Sequence, residues 1–161
     1  MSIYMKLDGI KGNVTTKGYE GTIELRQGGV NYSRNVQTKV GNASNRQVGA
    51  AQISTFHIEK VADASSSKLT ARMLTGQVIP SAQIFMCNSE KEASQPHVTY
   101  TLSNVVIKNI NNTLTAGSTL PLEDLELDFT KIEVCFNPTD ALNKMGAREV
   151  IAYDLEKATI V

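Results

Sequence analysis

Short runs rich in Val, Ile, Thr, Phe and Tyr recur along the chain, each cut off by a cluster of Gly, Asn, Pro or Ser. Frequent punctuation of β-branched and aromatic runs is the signature of an antiparallel sandwich or barrel. Runs at 3–7, 21–30, 50–60, 82–88, 97–110, 122–136 and 148–156 predict about seven strands. One helix interrupts them. Asp63 or Ser65 can supply its N-cap oxygen, Leu69 and Met73 stand four apart on one face, and Gly76 can close it. The fold class expected is mostly β: an antiparallel barrel in one domain, 1–161, with a flanking helix that plugs one end.

Two runs carry more detail. From Glu123 onward Leu125, Leu127 and Phe129 share one face, and Asp124, Glu126 and Asp128 the other; after Thr130 and Lys131 the apolar set becomes Ile132, Val134 and Phe136. A change of parity of this kind predicts a β-bulge near Thr130–Lys131, which would curl the sheet into a barrel wall. In 97–110, Val98, Tyr100 and Leu102 lie on one face and Val105 and Ile107 on the other, so this strand should bend or be covered on both sides. The stretch 31–49, by contrast, is polar and without apolar period. It reads as a long loop, either a binding arm carried by the scaffold or a disordered segment.

Composition removes several classes of function. Lys plus Arg and Asp plus Glu both number 16, so no net field favours nucleic acid or an anionic membrane. With 41% hydrophobic residues, a chain of 161 should fold and bury roughly 70% of its unfolded surface. The N-terminus lacks a basic stretch followed by a long apolar one, and no run reaches membrane-spanning length, so synthesis in the cytoplasm without a signal peptide or membrane insertion is expected. Cys87 and Cys135 sit inside strand-like runs and are expected as buried free thiols.

Catalytic patterns are missing from the sequence. His57 and His97 have no acid or thiol at a ligand spacing, and there is no nucleophile elbow, zinc-helix motif, phosphate loop or dinucleotide fingerprint. Asp124, Glu126 and Asp128 could comb a divalent cation, but calcium sites also draw carbonyl oxygens from a turning loop, and a solvated strand face explains the alternation. No enzyme activity, cofactor or metal is expected.

A resemblance gives more. Tyr4-Met5-Lys6-Leu7-Asp8-Gly9-Ile10-Lys11-Gly12 resembles the opening strand and turn of Hcp (haemolysin co-regulated protein) family members. Gly21–Leu25, Ser65–Leu69 with Gly76, Tyr100-Thr101-Leu102-Ser103-Asn104-Val105, Pro121–Pro138 and Tyr153-Asp154-Leu155 follow in the family's order. One departure is Ala152-Tyr153, where the family often has Gly-Trp. The resemblance implies a structural ring subunit of a type VI secretion system: a homohexamer whose rings stack into a hollow tube. Its implied partners are a VgrG-like spike, contractile sheath and baseplate proteins, and effectors carried in the lumen, and the tube is secreted from the cell. The alternatives are a small-ligand-binding β-barrel and a phage-type tail-tube protein. On the ring reading, the arm residues Asn31, Tyr32, Arg34, Asn35, Arg46 and Gln47 are expected to make ring-stacking contacts. The resemblance puts Gln27, Gly28, Gly29 and Val30 at or near the lumen, whereas paired glycines could equally mark a bulge with φ > 0 that turns the strand into the arm.

Overall fold

The computed structural model describes residues 1–41, 46–87, 95–138 and 146–161; position 88, at the end of one expected strand, and 42–45, at the crest of the expected arm, lie outside them. The chain is mostly β, with antiparallel pairing throughout and a single helix among the described residues. The strands are β1 (Ser2–Leu7), β2 (Ile23–Leu25), β3 (Gln27–Gly29), β4 (Tyr32–Gln37), β5 (Gln47–Ile53) and β6 (Phe56–Val61), then, after helix α1 (Ser66–Thr75), β7 (Ile79–Cys87), β8 (Val98–Thr113), β9 (Leu122–Asp128), β10 (Lys131–Phe136), β11 (Glu149–Asp154) and β12 (Thr159–Ile160). Among the described residues twelve strands replace the roughly seven expected, largely because long runs break where the chain turns a corner. The run 21–30 becomes β2 and β3, and 122–136 becomes β9 and β10.

One ladder runs β12-β11-β10-β8-β7-β1-β2, and a second runs β3-β6-β9 and joins it on β8. Strand β8 is long enough to serve both: its first half pairs β10 and its second half β9. The body is therefore barrel-like, with β2 and β3 carrying the chain from one sheet to the other. Met5, Ile23, Phe56, Ile58, Leu102, Leu125, Leu127 and Ile132 fill its interior. Leu69 seats the helix on this core, and Gly76 at φ 63 closes the helix in a left-handed conformation that a side chain would strain.

The corner at Phe129–Lys131 is not the bulge expected there. Asp128 pairs Val106 and Lys131 pairs Ser103, so the same number of residues separates the pairs on both strands and none is inserted. Both strands kink together instead: Asn104 takes φ 52, and Thr130 beside it donates its N–H to the Ser103 carbonyl at 3.1 Å. The paired kink turns Val105 and Ile107 inward on β8 and Ile132 and Val134 inward on β10, so the parity change was real and its cause different. A true bulge lies further along β8, where Lys108 is the extra residue between Ile107 and Asn109.

Cys87 and Cys135 are both buried and free. Cys135 pairs Thr99, which pairs Phe85, so two strand spacings, about 10 Å, separate Cys135 from the end of β7. That is beyond disulfide reach.

Candidate assembly surfaces

The stretch 31–49, expected to be a loop, is mostly strand. β4 and β5 form a two-stranded antiparallel arm that pairs with no other strand among the described residues. Its base is closed by Asn31: the Ser54 N–H donates to the Asn31 carbonyl and the Asn31 N–H to the Ser54 hydroxyl, both at 2.9 Å. Arg34 pairs Ala51 and Val36 pairs Val48, so Gly49 and Ala50 together oppose Asn35 as a bulge on β5. The bulge places Val48 on the face that carries Tyr32, Val36 and Ile53. It also erases the period in the sequence, which explains why the arm read as loop. Asn31, Tyr32, Arg34, Asn35, Arg46 and Gln47 are all exposed, as a contact surface requires.

A second surface arises where the ladders part. Strand β10 continues β9, but β9 is covered by β6 while β10 is flanked by β11, so β10, β11 and β12 overhang the barrel as a wing. Cross-strand partners share a face. Ile132 with Tyr153, and Val134 with Tyr100 and Ile151, therefore continue the core-facing side of the sheet; Ile132 and Val134 are buried, and the face becomes exposed at Ile151 and Phe136. The result is an apolar groove of about 270 Å³ floored by Tyr100, Ile132, Val134, Phe136, Ile151 and Tyr153, with Tyr32 from the arm on its other side. Burial, and then the neighbouring Tyr100 phenol, push the Tyr32 phenol up to about 12.

The expected lumen residues lie on β3 and just past it. Gln27 pairs Glu59 and Gly29 pairs His57, and with Val30, Asn31, Ser54, Thr55 and Glu126 they line an open depression on the outside of the β3-β6-β9 sheet. His57 Nε2 stands 3.8 Å from Asp124 Oδ1 here. Gly28 faces inward, where a Cβ would meet the Phe56 ring at 3.3 Å, while a Cβ on Gly29 would meet nothing within 4 Å. Neither has positive φ, so the alternative of a left-handed bulge at these glycines is not what the backbone does. Asp124 and Glu126 are half-buried and Asp128 is exposed; among the described residues no group of three or more ligating side chains is placed to hold a metal ion.

Sequence reasoning missed one cluster. Lys60 is fully buried, and its Nζ donates to Glu123 Oε2 at 2.6 Å, lies 3.0 Å from Asp63 Oδ1 and reaches Ser66 Oγ at 3.1 Å. Ser66 Oγ donates to the same Glu123 oxygen at 2.8 Å. This network locks the start of α1 to β6 and β9. Its only signal in the sequence was Glu123 standing on the parity of Leu125 and Leu127, with Lys60 on that of Phe56 and Ile58.

Solved structures share this architecture. One described as a type six secretion system protein superposes with TM-score 0.91 at 20% identity, covering 99% of each chain. Hcp1 of Salmonella typhimurium superposes at 0.80 with 17% identity, covering 99% of this chain and 98% of that one. A chain of the six-fold symmetrised anti-feeding prophage baseplate matches at 0.51 and 14% identity, over 83% of this chain and 90% of that one. A search of curated proteins gives no match. The fold is thus that of the tube-type β-barrels of type VI secretion. The family described as Type VI secretion system effector, Hcp, matches residues 4–136, and the chain belongs to it. This is a family of structural tube proteins that are secreted, and no described helix is long and apolar enough to cross a membrane.

Proposed function

We propose that the chain is the subunit of a closed hexameric ring whose rings stack into the inner tube of a type VI secretion system. The observation that carries this reading is the match to the tube family over residues 4–136, and two surfaces without a partner among the described residues, the arm and the open end of the wing, agree with it, since a folded subunit that leaves such surfaces is built for neighbours. Heterologous contacts between identical subunits that close on themselves make a ring, and a relative of the same fold comes from a six-fold assembly. A ligand-binding barrel is less well supported, because large apolar side chains occupy the interior where a ligand would sit. The arm, with Asn31, Tyr32, Arg34, Asn35, Arg46 and Gln47 exposed, makes the contact from ring to ring. The depression around Gln27, Gly29 and Val30 faces the lumen, where effectors travel; no catalytic step is assigned to it. The spike, sheath and baseplate are the further partners, and the subunit is assembled in the cytoplasm before it is secreted. Light scattering during gel filtration tests the ring: about six chain masses are expected, and a monomer at micromolar concentration with no larger species would sink the reading.

A further inference from the structure

We propose that the groove on the wing is the socket for the β4–β5 arm of a second copy of the chain. The inference rests on the ring-and-stack reading and says which surface receives the arm.

The socket lacks two things in the isolated subunit. Its apolar floor is open at one end: Ile151 is 57% exposed and Phe136 40% although they share a face with the buried Val134 and Ile132. Its strand edge is also without a partner among the described residues. Ala152 turns its carbonyl away from β10 to accept the Val161 N–H at 3.0 Å, so by antiparallel alternation the Val150 N–H and carbonyl point the same way, beyond the reach of β12, which pairs only Tyr153 and Asp154. An occupant must therefore bring apolar side chains and a ribbon with backbone groups to share.

The arm has both. Its bulge gathers Val36 and Val48, a cross-strand pair, onto one face, where they are 41% and 54% exposed with no core of their own to enter. Charge agrees as well. The ionisable side chains of residues 30–53 other than Tyr32 are Arg34, Lys39 and Arg46, all cationic, while Glu149, the partner of Phe136, stands at the mouth of the groove. Since each copy offers one arm and one socket, the contact is heterologous and can repeat from copy to copy without leaving either surface bare.

The test uses the full chain. Ile151→Glu changes an exposed position, and should leave ring mass unchanged while reducing ring-on-ring stacking, read by sedimentation and negative-stain lengths, by about tenfold or more, as loss of a central apolar contact does. In parallel, a chain carrying both Val48→Cys and Ile151→Cys should give a ladder of cross-linked multimers on mild oxidation, with each single variant stopping at dimer or below. Normal stacking by Ile151→Glu together with no ladder overturns the socket and leaves the ring standing. A native chain that is monomeric overturns both.

Discussion

Asn104 Nδ2 donates to Thr130 Oγ1 at 3.1 Å, across the point where β8 and the β9–β10 line kink together. Thr130 also receives the Leu155 N–H on its carbonyl at 2.9 Å, so one residue pair ties the shared strand, the corner and the segment after β11. Asn is suited to position 104 because it tolerates φ 52 while its short amide reaches the neighbouring strand. Asn104→Gly should lose the hydrogen bond alone, about 1 kcal/mol, and Asn104→Ala should lose more, by about a further 1 kcal/mol of backbone strain. Urea unfolding gives the order; an alanine variant as stable as the glycine variant would contradict it.

The Lys60 network should behave as a buried ion pair. Lys60→Met strands Glu123 in the core and should cost about 3 kcal/mol or more, whereas Lys60→Met with Glu123→Leu should recover most of that, since breaking a buried pair costs more than replacing it. Thermal melts of the three chains decide it, and a double variant as unstable as the single would mean that Ser66 and Asp63 need the charges more than the core does.

Gly28 and Gly29, adjacent in sequence, should respond oppositely to the same substitution. Gly29→Gln points a side chain into open space and should stay within about 0.5 kcal/mol of the native chain, while Gly28→Gln must displace the Phe56 ring and should cost about 1 kcal/mol or more. If Gly29 faces a lumen, Gly29→Gln also lowers effector retention by intact rings. Equal stability loss at both positions, by urea unfolding, would refute the packing argument.

Tyr32 sets a limit at high pH. Its phenol rises from the ordinary 10.0 to about 12 through burial and the nearby Tyr100, so the folded chain holds that proton more tightly than the unfolded one. Stability is then level below pH 10 and falls as pH climbs toward 12. The effect is modest because about half of the ring remains in water. Urea midpoints across this range should decline less steeply for Tyr32→Phe; parallel declines would place the titration elsewhere, such as Tyr19 or Tyr100, whose phenols burial also raises.

Most of the barrel was legible because a half-buried strand must alternate: the inward Leu125, Leu127 and Phe129, then Ile132 and Val134, were readable one by one. Ser65 and Gly76 bound the helix where punctuation predicts, but the expected N-cap oxygen is not supplied, because the Ser65 hydroxyl donates to Asp63 Oδ1 and makes no capping bond. Illegible were features without a local rule. The arm's strands are exposed on both faces, so nothing forced Tyr32–Gln37 to alternate, and a bulge shifted what period there was. The kink at Asn104 and an inserted residue at Thr130 produce the same parity change, and only cross-strand pairing separates them. The groove is a relation between β10 and β11 that no local pattern carries, so Phe136 read as one more member of the inward set.

No joint separates the barrel from either of its outlying parts: β10 runs on from β9 across a single corner, and β4 and β5 run on from β3 and β6 through two-residue steps. Force applied to the wing or the arm thus enters the barrel along continuous backbone ribbons. A column of such subunits would be stiff under thrust from one end, yielding by elastic flexing of its ribbons and not by the swing of hinged domains.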